Sequence, residues 1–368
     1  MTINAIAAVA HSPSQPWQIE PVAIDDPRDD EVIVRIAGTG LCHTDLVFAS
    51  SMKIMKAPAI FGHEGAGIVE KVGSAVTMVA PGDHVVLTFN SCGQCSRCTS
   101  GHPAYCQFHP QHNYIGCRPD GSRAVHVGDR ETSAHFFGQS SFATYALASE
   151  RNVVKVDKDV PIELLGPLGC GVQTGAGSVM RAMACGEGSS LVIFGGGSVG
   201  LSAVMGAVIQ KCATIIVVEP VAARREMASA LGATHTIDPG AGDVTAAVKQ
   251  IMPTGVDYAF DTSGRVEVVT AGIGCLASSG TIGLVGVAPL DNDNLPVSIN
   301  QLIGTGLRVM GIIEGDVVPD EFIPTMVGLY KEGRFPFDRL ITTYPLVEIN
   351  RAVTDQHEGK CIKPVLIP

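Results

Sequence analysis

The sequence predicts an α/β chain in which a doubly wound parallel sheet is inserted in a β-rich domain. Three observations carry this expectation. Residues 1–170 are rich in strand patterns and poor in helical periods. From Ser190 onward, short apolar strands alternate with helical segments, the pattern of parallel strands joined by crossover helices. After about Glu314, Pro, Gly and charged residues return, as expected of a tail that rejoins the first domain.

In the first part, residues 31–38 alternate in places as a half-buried strand does, and 65–72 and 83–87 are further strands, joined through Gly73 and Pro81-Gly82. In the second part the strands are 191–194, 214–218, 234–237, 256–260, 281–285 and 308–313. Helices are expected over 198–210 and over 224–231, the latter stopping at Gly232. A last strand is expected at 362–367. The predicted boundaries are 1–171 for the first part of the β-rich domain, 172–313 for the parallel-sheet domain and 314–368 for the second part of the first domain.

At 368 residues and 46% hydrophobic content the chain can fill two cores. A net charge of −11 repels a phosphate backbone, which argues against a nucleic-acid partner. No basic residue precedes the short apolar stretch near the N-terminus, so no signal peptide is expected. Apolar segments such as 201–209 fall far short of the roughly 20 residues that span a bilayer, so a soluble, cytoplasmic protein is expected. Four of the eleven cysteines, Cys92, Cys95, Cys98 and Cys106, fall within a single short stretch, which in a cytosolic chain favours metal over disulfides.

Gly195, Gly197 and Gly200 form a G-x-G-x-x-G between a predicted strand and a predicted helix, and Glu219 ends the next strand. In that context the glycines permit a tight turn and close approach of a pyrophosphate, which meets the helix N-terminus. Glu219 can accept from the adenosine ribose hydroxyls and repels a 2′-phosphate, so NAD is favoured over NADP. Arg224 and Arg225 nearby weaken that argument slightly, unless they form a solvated helix face.

Cys92-x2-Cys95-x2-Cys98-x7-Cys106 offers four thiolates on one loop, enough to close a tetrahedral zinc shell with no place for water; such a site is structural. An iron–sulfur cluster is the other chemistry that this spacing permits. Cys42, His63 and Cys170 are dispersed over three loop-like places. On the residues alone they remain an open reading, because a lone buried cysteine is usually a small hydrophobe.

Cys42-His-Thr-Asp45, Gly62-His-Glu64-Gly65-Ala-Gly67, Pro81-Gly-Asp83, the four-cysteine lobe, Gly169-Cys-Gly171 and the G-x-G-x-x-G occur in one order. Together they resemble the zinc-containing medium-chain alcohol dehydrogenases over essentially the whole chain, and within that family the aryl-alcohol (benzyl alcohol) dehydrogenases. The resemblance implies a GroES-like catalytic domain in two pieces with a Rossmann domain between them. It implies two zinc ions per subunit: a catalytic one on Cys42, His63 and Cys170, and a structural one on the four-cysteine lobe. It implies that Thr44 hydrogen-bonds the substrate alcohol and passes on its proton, that Asp45 orients His63, and that Glu64 sits behind the metal. His43 and Lys363 would approach the cofactor pyrophosphate, where many relatives carry Arg in place of Lys363. Glu219 and Arg224 would hold the adenosine ribose, and Thr174 and Val199 would press against the nicotinamide ring.

The implied activity is zinc-dependent, reversible oxidation of a primary alcohol, aryl or allylic, to the aldehyde with NAD. A small-molecule alcohol or aldehyde is the expected partner, with no membrane and with a homodimer or homotetramer as the assembly. The alternatives are a glutathione-dependent formaldehyde dehydrogenase, a zinc-free quinone reductase, which should lack the Cys42, His63 and Cys170 set, and a non-catalytic NAD-binding relative. Val47, Phe48, Met52, Ile54 and Met55 are read either as an apolar wall around the metal mouth or as ordinary core. Val47 stands where many relatives carry a histidine that releases the proton to solvent; valine has no titratable group.

Overall fold

The computed structural model describes residues 2–289 and 292–368. The chain divides into two compact units. One comprises the residues up to Gly171 with Val318–Glu332 and Phe337–Pro368; the other comprises Val172–Val317 with Gly333–Pro336.

The first unit is built on two sheets. In one, the described strands run in the order Ala59–Ile60, Ile3–Ala10, Gln18–Ile24, Val125–Val127 and Arg130–Glu131. In the other the order is Val153–Val156, His84–Leu87, Gly65–Val72, Glu31–Gly40, Lys363–Ile367 and Ile341–Pro345, and Tyr145–Ser149 also pairs with Glu31–Gly40. The long strand Glu31–Gly40 organises this sheet. Val32, Val34 and Ile36 pack on one of its faces with Val69, Val85 and Leu87, while Ile33 belongs to the larger core that holds Phe61 and Phe136. Burial on both faces explains why its alternation is only partial. The C-terminal strand Lys363–Ile367 docks antiparallel on this strand, with Val365 opposite Gly40.

The second unit carries a parallel sheet with strand order His235–Ile237, Thr214–Val218, Ser190–Phe194, Val256–Asp261, Leu276–Leu284 and Arg308–Gly311. In sequence terms the order is 3-2-1-4-5-6, that of a dinucleotide-binding fold with its switch point at the first strand. Ser190–Phe194 is buried throughout, and the helix Ser198–Ile209 that follows is buried over most of its length. Its sequence SVGLSAVMGAVI is apolar all round, as a helix enclosed by its neighbours must be. The fifth strand begins at Leu276, ahead of the residue 281 expected from pattern. Ala277, Ser278, Ser279 and Gly280 carry no apolar signal, yet Leu276 pairs with Val256 before a register shift. Among the described residues no helix is long and apolar enough to cross a membrane.

A buried ion pair ties the start of Glu31–Gly40 to the loop before Val125–Val127. Arg118 donates to both Glu31 carboxylate oxygens, at 2.6 and 2.8 Å, and the Arg28 backbone N–H donates to one of them. Burial pushes the Glu31 carboxyl upward, but the Arg118 hydrogen bond and charge overcome it and hold the group below its ordinary range. Removing Arg118 strands a buried carboxylate, so Arg118→Ala is expected to cost about 3 kcal/mol in urea unfolding at neutral pH. A carboxyl depressed in the folded state stabilises above its unfolded pKa, and that stability is lost as the pH falls through its folded value. The gap between wild type and variant should therefore narrow in acid; a gap independent of pH would contradict the assignment.

Candidate active site

Cys42 lies just beyond the end of Glu31–Gly40 and is the N-cap of the helix His43–Ser51. Asp45, at the third helical position, is fully buried and turns its carboxylate back across the cap. It accepts from the Cys42 N–H and the Gly62 N–H, each at 3.0 Å, and from His63 Nδ1 at 2.7 Å. The proton on His63 is thereby placed on Nδ1, and Nε2 is left with its lone pair. Nε2 is buried with no protein hydrogen-bond partner. Around it, the ligating atoms of Cys42, His63, Glu64 and Cys170 lie within 4.8 Å of one another. A buried, unpaired imidazole nitrogen beside two thiols fits a zinc ion with an open position. The Cys42 thiol is held well below its ordinary range, first by a hydrogen bond from Cys170 and, against burial, by the charge of Lys363; a thiolate is the form that binds metal. Thr44 Oγ1 lies 3.9 Å from Cys42 Sγ.

Glu64 sits behind this set. It accepts from the Gly171 N–H at 3.1 Å, next to Cys170, and from Lys363 Nζ at 2.8 Å on both oxygens. A Cβ on Gly40 would come within 1.9 Å of Glu64 Oε2, so only glycine admits the carboxylate here. Lys363 differs from the sequence reading, which gave its ammonium to a cofactor pyrophosphate. It is almost fully buried and committed to Glu64 and to the Leu41 carbonyl. Burial alone would lower its pKa, but the charge of Glu64 and that of Cys42 raise it, so the ammonium remains charged. His43 is exposed at the start of its helix.

Sequence reasoning named Phe48 as possible wall but missed the rest of the aromatic surround, Tyr114, Phe136 and Phe137. Phe137 stacks on the His63 ring at 4.4 Å and Phe136 meets it edge-on at 5.4 Å. Phe48 packs on Phe136 at 5.0 Å, and Tyr114 reaches both Phe48 and Phe137. Phe137 has φ 51 and ψ 34, and His135 has φ 123, a left-handed backbone that is costly for such side chains. The loop is held by Ser140, whose Oγ accepts from the His135 and Phe136 N–H groups and donates to the Ile60 carbonyl. Gln139 accepts from Gly65 and donates to the His63 carbonyl. The signal for this loop was two adjacent phenylalanines between His135 and Gly138. Met52 and Met55, read as possible wall, are buried in the core with Phe61 and Phe136. The chain turns inward at Met52, which takes a left-handed conformation. Ile54 and Val47 are exposed.

The four cysteines of the lobe bring their sulfurs within 4.8 Å of one another. The N–H groups of Cys92 and Phe108 point at Cys106 Sγ, and that of Cys95 at Cys92 Sγ. Backbone donors aimed at sulfur favour thiolates, and the set is closed by four sulfurs.

In the second unit the glycine turn leads from Ser190–Phe194 into Ser198–Ile209, with Gly197 as N-cap. A Cβ on Gly200 would lie 1.9 Å from the Gly195 carbonyl oxygen. Glu219 reaches across the turn: its carboxylate accepts from the Gly196 N–H at 2.6 Å and the Val221 N–H at 2.9 Å. Arg225 is not a solvated side chain; it donates to the Glu219 and Pro220 carbonyls and pairs with Asp238 at 3.0 Å. Arg224 Nε is buried with no protein partner. Thr174 and Val199 lie on adjoining helices, since a Cβ on Gly175 would meet the Val199 carbonyl oxygen at 2.0 Å.

Residues 28–158 match the alcohol dehydrogenase GroES-like domain family, and residues 198–332 match the zinc-binding dehydrogenase family. The chain is 46% identical to a geraniol dehydrogenase of Castellaniella defragrans, over 99% of this chain and 98% of that one. Its structure is similar to an alcohol dehydrogenase zinc-binding domain protein of Burkholderia ambifaria, with 48% identity and a TM-score of 0.97 over the whole of both chains. It is also similar to benzyl alcohol dehydrogenase of Acinetobacter calcoaceticus, with 43% identity and a TM-score of 0.95 over 99% of each.

The two cysteine sets make different demands on the fold. Cys170→Ala is expected to abolish turnover and lower zinc content by about one ion per chain, with the unfolding transition nearly unchanged. Cys98→Ala should instead destabilise the protein, because metal binding at a closed site is folding energy. Zinc analysis and thermal unfolding of both variants check this; equal loss of stability would contradict the division.

Proposed function

We propose, for a chain that belongs to the zinc-containing medium-chain alcohol dehydrogenase family, NAD-dependent oxidation of a bulky allylic or aryl primary alcohol to its aldehyde. The observation that carries the reading is the unpartnered Nε2 of His63, set between two thiols and stacked against Phe137. Zinc bound by Cys42, His63 and Cys170 supplies a Lewis acid that makes an alcohol hydroxyl acidic, and NAD supplies the hydride acceptor. Thr44 receives the hydroxyl proton. Asp45 keeps the His63 ring in one tautomer and one orientation. The Glu64–Lys363 pair holds the ligand-bearing backbone at Gly171 and Leu41. Val47 has no titratable group and takes no part in releasing the proton.

The partly buried Phe48 and Tyr114, backed by the buried Phe136 and Phe137, support a substrate with a flat or unsaturated chain, because aromatic faces favour such groups over a two-carbon alcohol. The likeness to a geraniol dehydrogenase and a benzyl alcohol dehydrogenase supports the same class. kcat/KM for geraniol or benzyl alcohol should exceed that for ethanol by about 100-fold, as expected when several methylene-sized contacts are lost. Equal values for ethanol and benzyl alcohol in a steady-state panel would overturn the substrate class.

NAD over NADP is supported by Glu219, whose carboxylate sits across the glycine turn, and by Arg225, whose guanidinium is already engaged by Asp238. Gly195, Gly197 and Gly200 would take the pyrophosphate, Arg224 with its unpartnered Nε would join Glu219 at the ribose, and Thr174 and Val199 would meet the nicotinamide. Glu219→Ala should narrow the NAD-to-NADP ratio in kcat/KM; a wild type that uses NADP as well as NAD contradicts the role given to Glu219.

Self-association is supported by the edge strand Arg308–Gly311, near which Val309, Ile313, Ile299 and Ile303 are exposed. Light scattering should find an assembly of two or four 38.3 kDa chains, and a monomer at micromolar concentration would rule this out.

A further inference from the structure

The sixth strand of the parallel sheet, Arg308–Gly311, runs on into a turn that carries a buried carboxylate, Glu314. The Ile312 N–H still donates to the Leu284 carbonyl at 2.9 Å, so Glu314 lies just beyond the carboxyl end of that strand. In a doubly wound sheet the dinucleotide lies across the carboxyl ends of the strands, one half of it over each half of the sheet. Glu219 follows the second strand, on the adenosine side, and the order 3-2-1-4-5-6 puts Glu314 on the nicotinamide side. A second buried carboxylate at this end of the sheet, Asp261, closes its own turn, accepting from the Ser263 and Gly264 N–H groups and from Ser263 Oγ.

Glu314 is only 6% exposed. Gln173 Nε2 donates to its Oε2 at 2.9 Å, and Thr174 Oγ1 donates more loosely to the same oxygen at 3.4 Å. Both donors stand on the helix Gly171–Gly177; Gln173 is buried and Thr174 only partly so. Neutral donors of this kind satisfy a carboxylate oxygen without cancelling its charge. The backbone is bent sharply to deliver the side chain: Glu314, Gly315 and Asp316 have φ 51, 68 and 50. A Cβ on Gly315 would meet the Gln173 carbonyl oxygen at 2.6 Å, so the turn lies directly on the helix. Left-handed backbone is costly at Glu314 and Asp316, and such strain is characteristic of functional sites. The same helix touches the helix that leaves the glycine turn, through Gly175 and the Val199 carbonyl. Glu314 is thus joined through Thr174 to the place where the glycine turn and the unpartnered Arg224 Nε fit a dinucleotide.

On the reading that Thr174 and Val199 meet the nicotinamide, we infer that the charge of Glu314 sets the relative affinity of the site for the two redox forms of the cofactor. The oxidised nicotinamide ring carries a positive charge, which is lost when the ring accepts a hydride. A fixed anion on the nicotinamide side attracts the first form and not the second, and a buried position keeps that attraction from being screened by water. A group can shift an equilibrium only through such a difference between the two forms. Glu314 therefore favours capture of NAD and release of NADH, the order that alcohol oxidation requires. Gln173 and Thr174 are the positioning residues that hold its Oε2.

Titration calorimetry of the zinc-loaded, full-length protein with NAD, NADH and ADP-ribose tests this. ADP-ribose lacks the nicotinamide and reports on the rest of the site. In Glu314→Gln the ratio of Kd for NAD to Kd for NADH should rise by about 10-fold over wild type, with Kd for ADP-ribose unchanged. Glu314→Asp keeps the charge and should stay close to the wild-type ratio. Glu314→Ala should show the same rise as Glu314→Gln, and it decides the matter if the Gln variant does not fold. An unchanged ratio in a charge-removing variant that still binds ADP-ribose would overturn the role of Glu314 and leave the dinucleotide site standing. An Asp variant that shifts as far as the Gln variant would make the effect one of shape and overturn it too. A wild type that binds none of the three ligands would overturn both the role and the site.

Discussion

The Asp45 carboxylate is the constraint on which the candidate site depends. It is fully buried, and its three partners come from two places in the chain: the Cys42 N–H, and the adjacent Gly62 N–H and His63 Nδ1. A buried carboxylate is tolerable only when such donors surround it, so the fold that places Asp45 must also place the Cys42 cap and the turn before His63. One side chain thus sets the position of one thiol and the tautomer and direction of the imidazole. Cys170 is brought in separately, through the Gly171 N–H on Glu64.

A second layer fixes the first. Lys363, on the C-terminal strand, neutralises Glu64 behind the candidate ligands, and Gly40 leaves the space that this carboxylate occupies. On the other side Phe137 is kept in a left-handed conformation by the Ser140 and Gln139 hydrogen bonds, against His63. Strain of this kind persists only where the surroundings over-determine it, and here the surroundings are two polar side chains tied to the segment that carries His63. The pair Arg118–Glu31 anchors the opposite end of the same central strand.

What could be read from sequence was local. The four-cysteine spacing and the glycine turn lie within one loop each, so spacing alone indicates their chemistry, and Glu219 follows from its place at the end of the next strand. Cys42, His63 and Cys170 are separated by long stretches of chain; nothing in their spacing joins them, and only the resemblance to a family did so. The placement of Lys363 at a cofactor pyrophosphate is what the family resemblance implies, and nothing in its local sequence signals otherwise. Its burial against Glu64 depends on a strand pairing between the two ends of the first unit. Phe136 and Phe137 were invisible because no periodicity describes a loop, and Met52 and Met55 went to the core because of a turn at Met52 that their sequence does not signal. The strand starts at Leu276, ahead of the expected Thr281, because a register shift separates the Leu276 pair from the Thr281 pair, and Ala277, Ser278 and Ser279 between them carry no strand pattern.

Asp45 is expected to order the open ligand set and not the closed one. Zinc affinity of wild type and Asp45→Asn, measured by competition with a chromophoric chelator, tests it most directly. Asn retains the size of the side chain but loses the charge that orients and polarises the imidazole. One class of zinc should weaken by about 10- to 100-fold while the other is unchanged. Identical binding curves for the two proteins, or equal weakening of both classes, would contradict it.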